Sequence, residues 1–176
     1  MLNIRENIVT IAVVSIYGLV LGNIPQSFAE PELEVEVVEV VVEADPLEEF
    51  SDAKSLDQAE LKSLLKAVGF EGKALRTAWS VAMKESNGRP KAHNDNLSTG
   101  DDSYGIFQIN MLGSLGEARR EKFNLKTNKE LFDPVVNAQI AYHMTRKGED
   151  WSSWKVYPNQ TNGERFEQFY ALFPEI

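Results

Sequence analysis

The sequence predicts a mainly α-helical domain with one small loop or β-hairpin region. Three observations carry that expectation. From Ser55 onward, apolar residues recur at helical spacing in successive stretches. Those stretches are bounded by Asp, Gly and Pro at positions that start or stop helices. Between two of them lies "GRPKAHNDNLSTGDDS" (88–103), a run of turn-formers too long for a plain connection.

The first 29 residues read as a separate segment. A short polar stretch with Arg5 and Glu6 precedes an apolar run from Ile8 to Gly22. Pro25 breaks the run, and Ser27 and Ala29 suit peptidase cleavage after Ala29. The run is about fifteen residues long, short of the roughly twenty needed to span a bilayer. Residues 1–29 are therefore expected to be an export signal, with an uncleaved membrane anchor as the alternative. Residues 30–52 form an acidic stretch in which "EPELEVEVVEVVVEADPLEEF" (30–50) alternates Val with Glu. Alternation is a strand pattern, but the acid density and the lack of a nearby second strand favour a solvated, extended linker. The alternative is an acidic docking arm. The folded domain is expected over 53–176.

The helices follow in order. "SLDQAELKSLLKAVG" opens with a capping box from Ser55 to Gln58 and closes at Gly69. A second helix covers about 72–87 and stops at Gly88, with Pro90 beyond. "YGIFQIN" is a short apolar stretch that closes the long loop. Further helices are expected over about 114–123, about 134–147 with Asp133 as cap and Pro134 at the first position, and about 150–157. A last amphipathic piece covers about 163–173, and no internal repeat is visible.

Composition narrows the function. The chain has 176 residues, of which 43% are hydrophobic, an ordinary globular content. It has no cysteine, which excludes disulfides and Cys-ligated zinc, and His93 and His143 are too few for a His-rich metal site. No metal or cofactor is expected. The net charge of −9 is uneven. Residues 1–52 hold one base and eleven acids, while 53–176 hold seventeen bases and sixteen acids. No clustered basic patch marks a nucleic-acid partner.

Glu85 is the residue out of pattern. At about 100° per residue, Leu75, Ala78, Trp79, Ala82 and Ser86 share one face of the second helix, with Met83 at its margin. Glu85 falls about 20° from Ala78, at the edge of that stripe, and Lys84 points to the opposite side. Desolvation and the negative end of the helix dipole both disfavour a carboxylate there. A carboxyl group kept neutral is what general acid catalysis on an acetal oxygen requires. The alternative is a boundary residue that reaches water or pairs with Arg89. The loop that follows supplies Asn94, Asp95, Asn96, Asp101 and Asp102 and leads to Gln108 and Asn110, groups suited to a polyhydroxylated ligand. Tyr104, Tyr142, Trp151, Trp154 and Tyr157 could offer faces to sugar rings, though each taken singly fits the core better than a ligand platform.

"ESNGRPKAHN" followed by "SYGIFQIN" resembles the lysozyme-like superfamily, especially the soluble lytic transglycosylase domain. There a Glu-Ser at a helix end is followed by a Gly-x-x-Gln stretch across the cleft. "YGIFQIN" is also similar to a strand of animal lysozymes. "DPVVNAQIAYHMTRKGEDWSSW" is similar to the helix, Gly turn and Trp-containing helix of the same fold. The resemblance covers about 55–157. It implies a lysozyme-like α-helical domain whose loop or hairpin region lines the cleft. It further implies Glu85 as the catalytic acid, with Ser86, Gln108, Asn110 and Tyr142 near the substrate, and Trp151 packed against the acid.

The resemblance also exposes one departure. Animal lysozymes carry an aspartate immediately before the Tyr-Gly; here that position is Ser103, with Asp102 and Asp101 upstream. Lytic transglycosylases work with a single acid, which suits a Ser at that position. The implied activity is cleavage of the β-1,4 bond between N-acetylmuramic acid and N-acetylglucosamine in peptidoglycan, leaving 1,6-anhydromuramic ends. A hydrolytic muramidase using Asp102 or Asp101 is the alternative, and a non-catalytic wall-binding module is a second. The expected partner is the peptidoglycan glycan strand. The N-terminal segment would engage the membrane at least during export, and the domain would act as a monomer, periplasmic or extracellular. Similar domains occur in bacterial wall-remodelling enzymes and in phage lysis or virion proteins.

Overall fold

The computed structural model describes residues 45–154 and 163–175. The expected export signal and most of the acidic linker lie outside the described residues. Pro46–Ile176 is one compact unit. Within it the described residues form five α-helices and a three-stranded antiparallel sheet. The mainly α fold with a small hairpin region is thus the one observed. Among the described residues, no helix is long and apolar enough to cross a membrane.

The first packed residue precedes the expected start of the domain. Glu48–Phe50 forms a 3-10 turn, and Phe50 is buried in the core. Helix α1 (Gln58–Val68) follows and buries Leu61, Leu64 and Leu65. Its capping box lies two residues beyond the expected Ser55–Gln58 pair. The Asp57 carboxylate accepts the Ala59 and Glu60 N–H groups at 2.8 Å, and Glu60 accepts the Asp57 N–H at 2.7 Å. An ionised acceptor at the positive end of a helix is stronger than a hydroxyl, so Asp57 displaces Ser55 as the cap.

Helix α2 (Gly72–Ser86) is the centre of the fold. It was expected to bury one face, yet every residue from Thr77 to Lys84 is buried, as is Ser86. α1 and α5 (Gly163–Ala171) pack against it. Trp79 donates its indole N–H to the Gln58 carbonyl at 3.1 Å and meets the Phe173 ring edge-on. From α5, the Tyr170 carbonyl accepts Arg76 Nε at 2.9 Å. α2 ends where Asn87 takes a left-handed conformation, φ 57°.

The long loop then folds into three two-residue strands, β1 (His93–Asn94), β2 (Ser103–Tyr104) and β3 (Ile109–Asn110), in that order. Tyr104 lies opposite His93 and Ile109, and Ser103 lies opposite Asn94 and Asn110. Helix α3 (Gly113–Phe123) and a 3-10 turn over Asn128–Phe132 lead to α4 (Pro134–Met144), which packs on α1. Asp133 caps α4 through the Val135 and Val136 N–H groups, with Pro134 in the first turn.

α4 stops three residues before its expected end. The Thr145 hydroxyl donates to the Ala141 carbonyl at 2.8 Å and accepts the Gly148 N–H at 2.9 Å. Arg146, Lys147 and Gly148 then take positive φ and turn the chain away. A Cβ on Gly148 would lie 2.6 Å from Ala74 Cβ, so glycine permits this close approach to α2. Of the helix expected over 150–157, the described part is a 3-10 turn, Ser152–Trp154.

Candidate active site

The site forms where the C-terminal turn of α2 faces the hairpin. An open cleft of about 400 Å³ lies there, within the range of ligand sites. Glu85 and Lys84 line it from α2, Asn94, Asp101, Gln108 and Asn110 from the hairpin region, Arg119 from α3 and Trp154 from the last turn. Of the residues singled out in the sequence, Glu85, Asn94, Asp101, Ser103, Gln108, Asn110 and Trp154 are brought together on this wall.

Glu85 is half-buried, and its partner is not the Arg89 considered above. Lys84 Nζ lies 2.9 Å from Glu85 Oε1. The Lys84 side chain keeps only 4% of its exposure against 23% for Glu85, so the cation is the buried member. Lys84 was expected to point to the opposite side of α2. Its Cα does, but that side is covered, and the long side chain bends back to the cleft. There Nζ also donates to the Trp154 carbonyl at 2.8 Å. The ammonium offsets the cost of holding a carboxylate charge away from water. Arg89 instead donates Nε to the Ser86 carbonyl at 2.9 Å.

Ser86 does not reach the cleft. It is buried, with its hydroxyl within hydrogen-bonding distance of Ile106 O (2.8 Å) and Ala82 O (3.1 Å). It ties the end of α2 to the hairpin turn and so sets the spacing across the cleft. That turn, Gly105–Gln108, explains the Gly-x-x-Gln spacing. A Cβ on Gly105 would lie 2.3 Å from both Leu131 O and Asn137 Nδ2. Gln108 sits at φ 47° and donates Nε2 to Gly105 O at 2.9 Å and to Ala92 O at 3.2 Å. Its amide nitrogen is spent on the backbone, which leaves only the carbonyl oxygen for a ligand.

Asn110 is similarly engaged. Its Nδ2 donates to Gly100 O at 3.0 Å, its Oδ1 accepts the Leu112 N–H at 2.9 Å, and its carbonyl accepts Arg119 Nη1. The two loop carboxylates part company. Asp101 lines the cleft, accepting Asn94 Nδ2 at 2.8 Å and the Ser103 hydroxyl. Asp102 is drawn off by His93, with Nε2 2.9 Å from Oδ1. The Tyr104 ring stacks beside that pair, and burial pushes its phenol up from the ordinary value.

The aromatic side chains expected near the substrate are placed as follows. Trp151 lies behind the wall, in contact with Phe70, Phe107 and Trp154, and donates Nε1 to Gly148 O at 2.9 Å. Among the described residues the aromatic on the cleft is Trp154, which donates Nε1 to Phe107 O at 2.8 Å. The turn over Ser152–Trp154 rotates Trp151 inward and brings Trp154 to Lys84. Tyr142 packs edge-on against Phe70, away from the cleft, and Met144 holds the α4 position on the wall. Tyr157 lies outside the described residues.

Two contributors escaped sequence reasoning. Asn137 of α4 is fully buried, accepts the Phe107 N–H, and donates to Tyr104 O and Leu131 O, each at 2.9 Å. An amide amid the apolar residues of "PVVNAQIA" was the available signal. Arg119 is the other. Burial lowers its guanidinium from the ordinary value, and nothing in "GEARREKF" distinguishes it from Arg120.

The family model of a lysozyme-like domain matches residues 62–156, more than half of the 176-residue chain. The chain belongs to the lysozyme-like domain family. No curated protein and no solved structure matches it. The matched span takes in α2, the hairpin, α4 and Trp154, so the cleft lies wholly inside the lysozyme-like domain. Lysozyme-like domains are glycosidases of peptidoglycan, and the chain is an enzyme of that kind. Its substrate lies outside the cytoplasm, and so does its place of action.

Proposed function

We propose that this lysozyme-like domain is a lytic transglycosylase with Glu85 as its single acid and base. The observation that carries the reading is the Glu85 carboxyl on the cleft wall, facing a hairpin of amide and hydroxyl groups. Glu85 donates its proton to the glycosidic oxygen between N-acetylmuramic acid and N-acetylglucosamine as the C1–O bond breaks. The sugar's own 6-hydroxyl then attacks C1 and returns its proton to Glu85, leaving a 1,6-anhydromuramic end. Between the two transfers the enzyme carries a Glu85 carboxylate. Lys84 Nζ, fixed on the Trp154 carbonyl, is the counter-charge for that state. Ser103 supports the single-acid route, because an uncharged hydroxyl stands where animal lysozymes carry the second carboxylate.

Glu85→Gln is expected to lower lysis of purified peptidoglycan at least about 100-fold with little change in unfolding midpoint. Comparable lysis by the variant would sink the assignment. Mass spectrometry of the wild-type products is expected to find anhydro-ended muropeptides.

Hydrolysis is the second reading, and one observation favours Asp101 over Asp102 for it. Asp101 shares the cleft with Glu85, while Asp102 is paired with His93. That route needs a carboxylate separation of about 5–5.5 Å for retention or 6.5–9.5 Å for inversion. Reducing ends as the sole product, lost in Asp101→Asn, would establish it. Residues 1–29 are proposed as the export signal and 30–45 as a spacer, since Phe50 of the expected 30–52 linker packs in the core. An exported protein beginning at Glu30 supports this, whereas an intact Met1 in membranes supports an anchor.

A further inference from the structure

The charged groups of the cleft are unequally occupied. Glu85 has Lys84, and Asp101 has Asn94 and Ser103. Arg119 is the exception. Its guanidinium lines the same cleft, half-buried on α3, and its one hydrogen bond is from Nη1 to the Asn110 carbonyl. Among the described residues no carboxylate pairs with it. One bond leaves most of the five N–H donors of this cleft-lining guanidinium without a partner among the described residues. A guanidinium removed from water is costly to hold unpaired, and its planar fork matches a carboxylate in two parallel hydrogen bonds.

Building on the glycosidase reading above, we propose that Arg119 binds a carboxylate of the glycan strand and selects charged strands over neutral ones. A peptidoglycan strand offers that group in two forms. The lactyl ether of muramic acid ends in a carboxylate where no peptide is attached. Where a peptide is attached, that group is an amide and the carboxylates belong to the peptide. A β-1,4 N-acetylglucosamine polymer shares the backbone and has neither. The amides of the cleft carry no net charge to favour a carboxylate, and Gln108 Nε2 already makes two bonds within the protein.

The test compares Arg119→Gln with its parent in the full chain, on soluble strands of three kinds: peptide-bearing, stripped of peptide by an amidase, and stripped with the lactyl carboxylates methyl-esterified. Binding is read in a Glu85→Gln background so that turnover does not consume the ligand; cleavage is read separately in the wild-type background. Arg119→Gln is expected to weaken binding at least tenfold on one or both charged strands and less than twofold on the esterified strand. Arg119→Lys should recover part of the loss, as a point charge does without the fork. Loss confined to peptide-bearing strands identifies the peptide carboxylate, and loss confined to stripped strands identifies the lactyl group. An equal loss on all three strands would show that Arg119 only anchors Asn110, and would overturn the inference. So would no loss on any strand, or failure of the parent to prefer charged strands. Arg119-dependent binding without wild-type cleavage would instead overturn the glycosidase reading and leave this inference standing.

Discussion

Lys84 and Glu85 are neighbours in sequence, and helical geometry separates their Cα–Cβ directions by about 100°. Their charges meet only because the Ser152–Trp154 turn closes the lysine's exit to solvent and offers a carbonyl as anchor. Lys84→Met keeps much of the side chain's apolar bulk but leaves the Trp154 carbonyl without its donor. Loss of a buried partner of this sort costs about 1–3 kcal/mol, and the urea midpoint should fall accordingly. Lysis should fall as well, because Glu85 loses its counter-charge; unchanged lysis would show that the pair is only structural. The sequence held a sign of this burial. Thr77–Met83 is seven consecutive residues without a charge, more than a one-faced helix needs. Glu85 was legible as an acid out of pattern. Its actual partner was not, since periodicity gives directions on a helix and not what covers them.

At the scale of the element, the hairpin is held by its partners more than by its strands, each of which is two residues long. Asn137 pins the hairpin from α4 through two hydrogen bonds, from Phe107 N and to Tyr104 O, with a third to Leu131 O of the preceding 3-10 turn, and Gly105 allows the approach. Gly105→Ala would place a methyl against the Leu131 carbonyl at a position of positive φ. It should cost about 1–3 kcal/mol and reduce lysis by moving Gln108; a lower midpoint with full activity would separate the turn from the site. The turn carrying Trp154 has a pH dependence of its own. The hydroxyl and N–H of Ser152 hold the Asp150 carboxyl below its ordinary value. A depressed carboxyl stabilises the fold above its unfolded pKa and loses that contribution as pH falls through the folded value. The stability difference between wild type and Asp150→Ala should therefore be present at pH 7 and shrink below about pH 4. A difference that persists in acid would contradict this. The existence of these elements was legible from Asp133-Pro134, Gly69 and the turn-forming run. Their ends were less so, because Thr145 and the positive φ values of Arg146 and Lys147 stop α4 without any proline.

At the scale of the molecule, the compact unit begins at Pro46, and Phe50 contributes to its core. Relative to a fragment starting at residue 46, one starting at 53 should lose about 2 kcal/mol with the buried phenylalanine. Equal midpoints for the two fragments would put Phe50 outside the cooperative core. Sequence by itself determined the mainly helical class, the hairpin between the second and third helices, and the acid at the end of the central helix. These depend on local spacing and on residues with strong conformational preferences, and both are written along the chain. Tertiary structure alone decided that Asp101 faces the cleft and Asp102 turns to His93, and that Trp154 takes the place expected of Trp151. It also left Arg119 in the cleft without an ionic partner among the described residues. Such choices depend on which side chains from distant segments reach the same space, and adjacent residues of one type look alike until that space is filled.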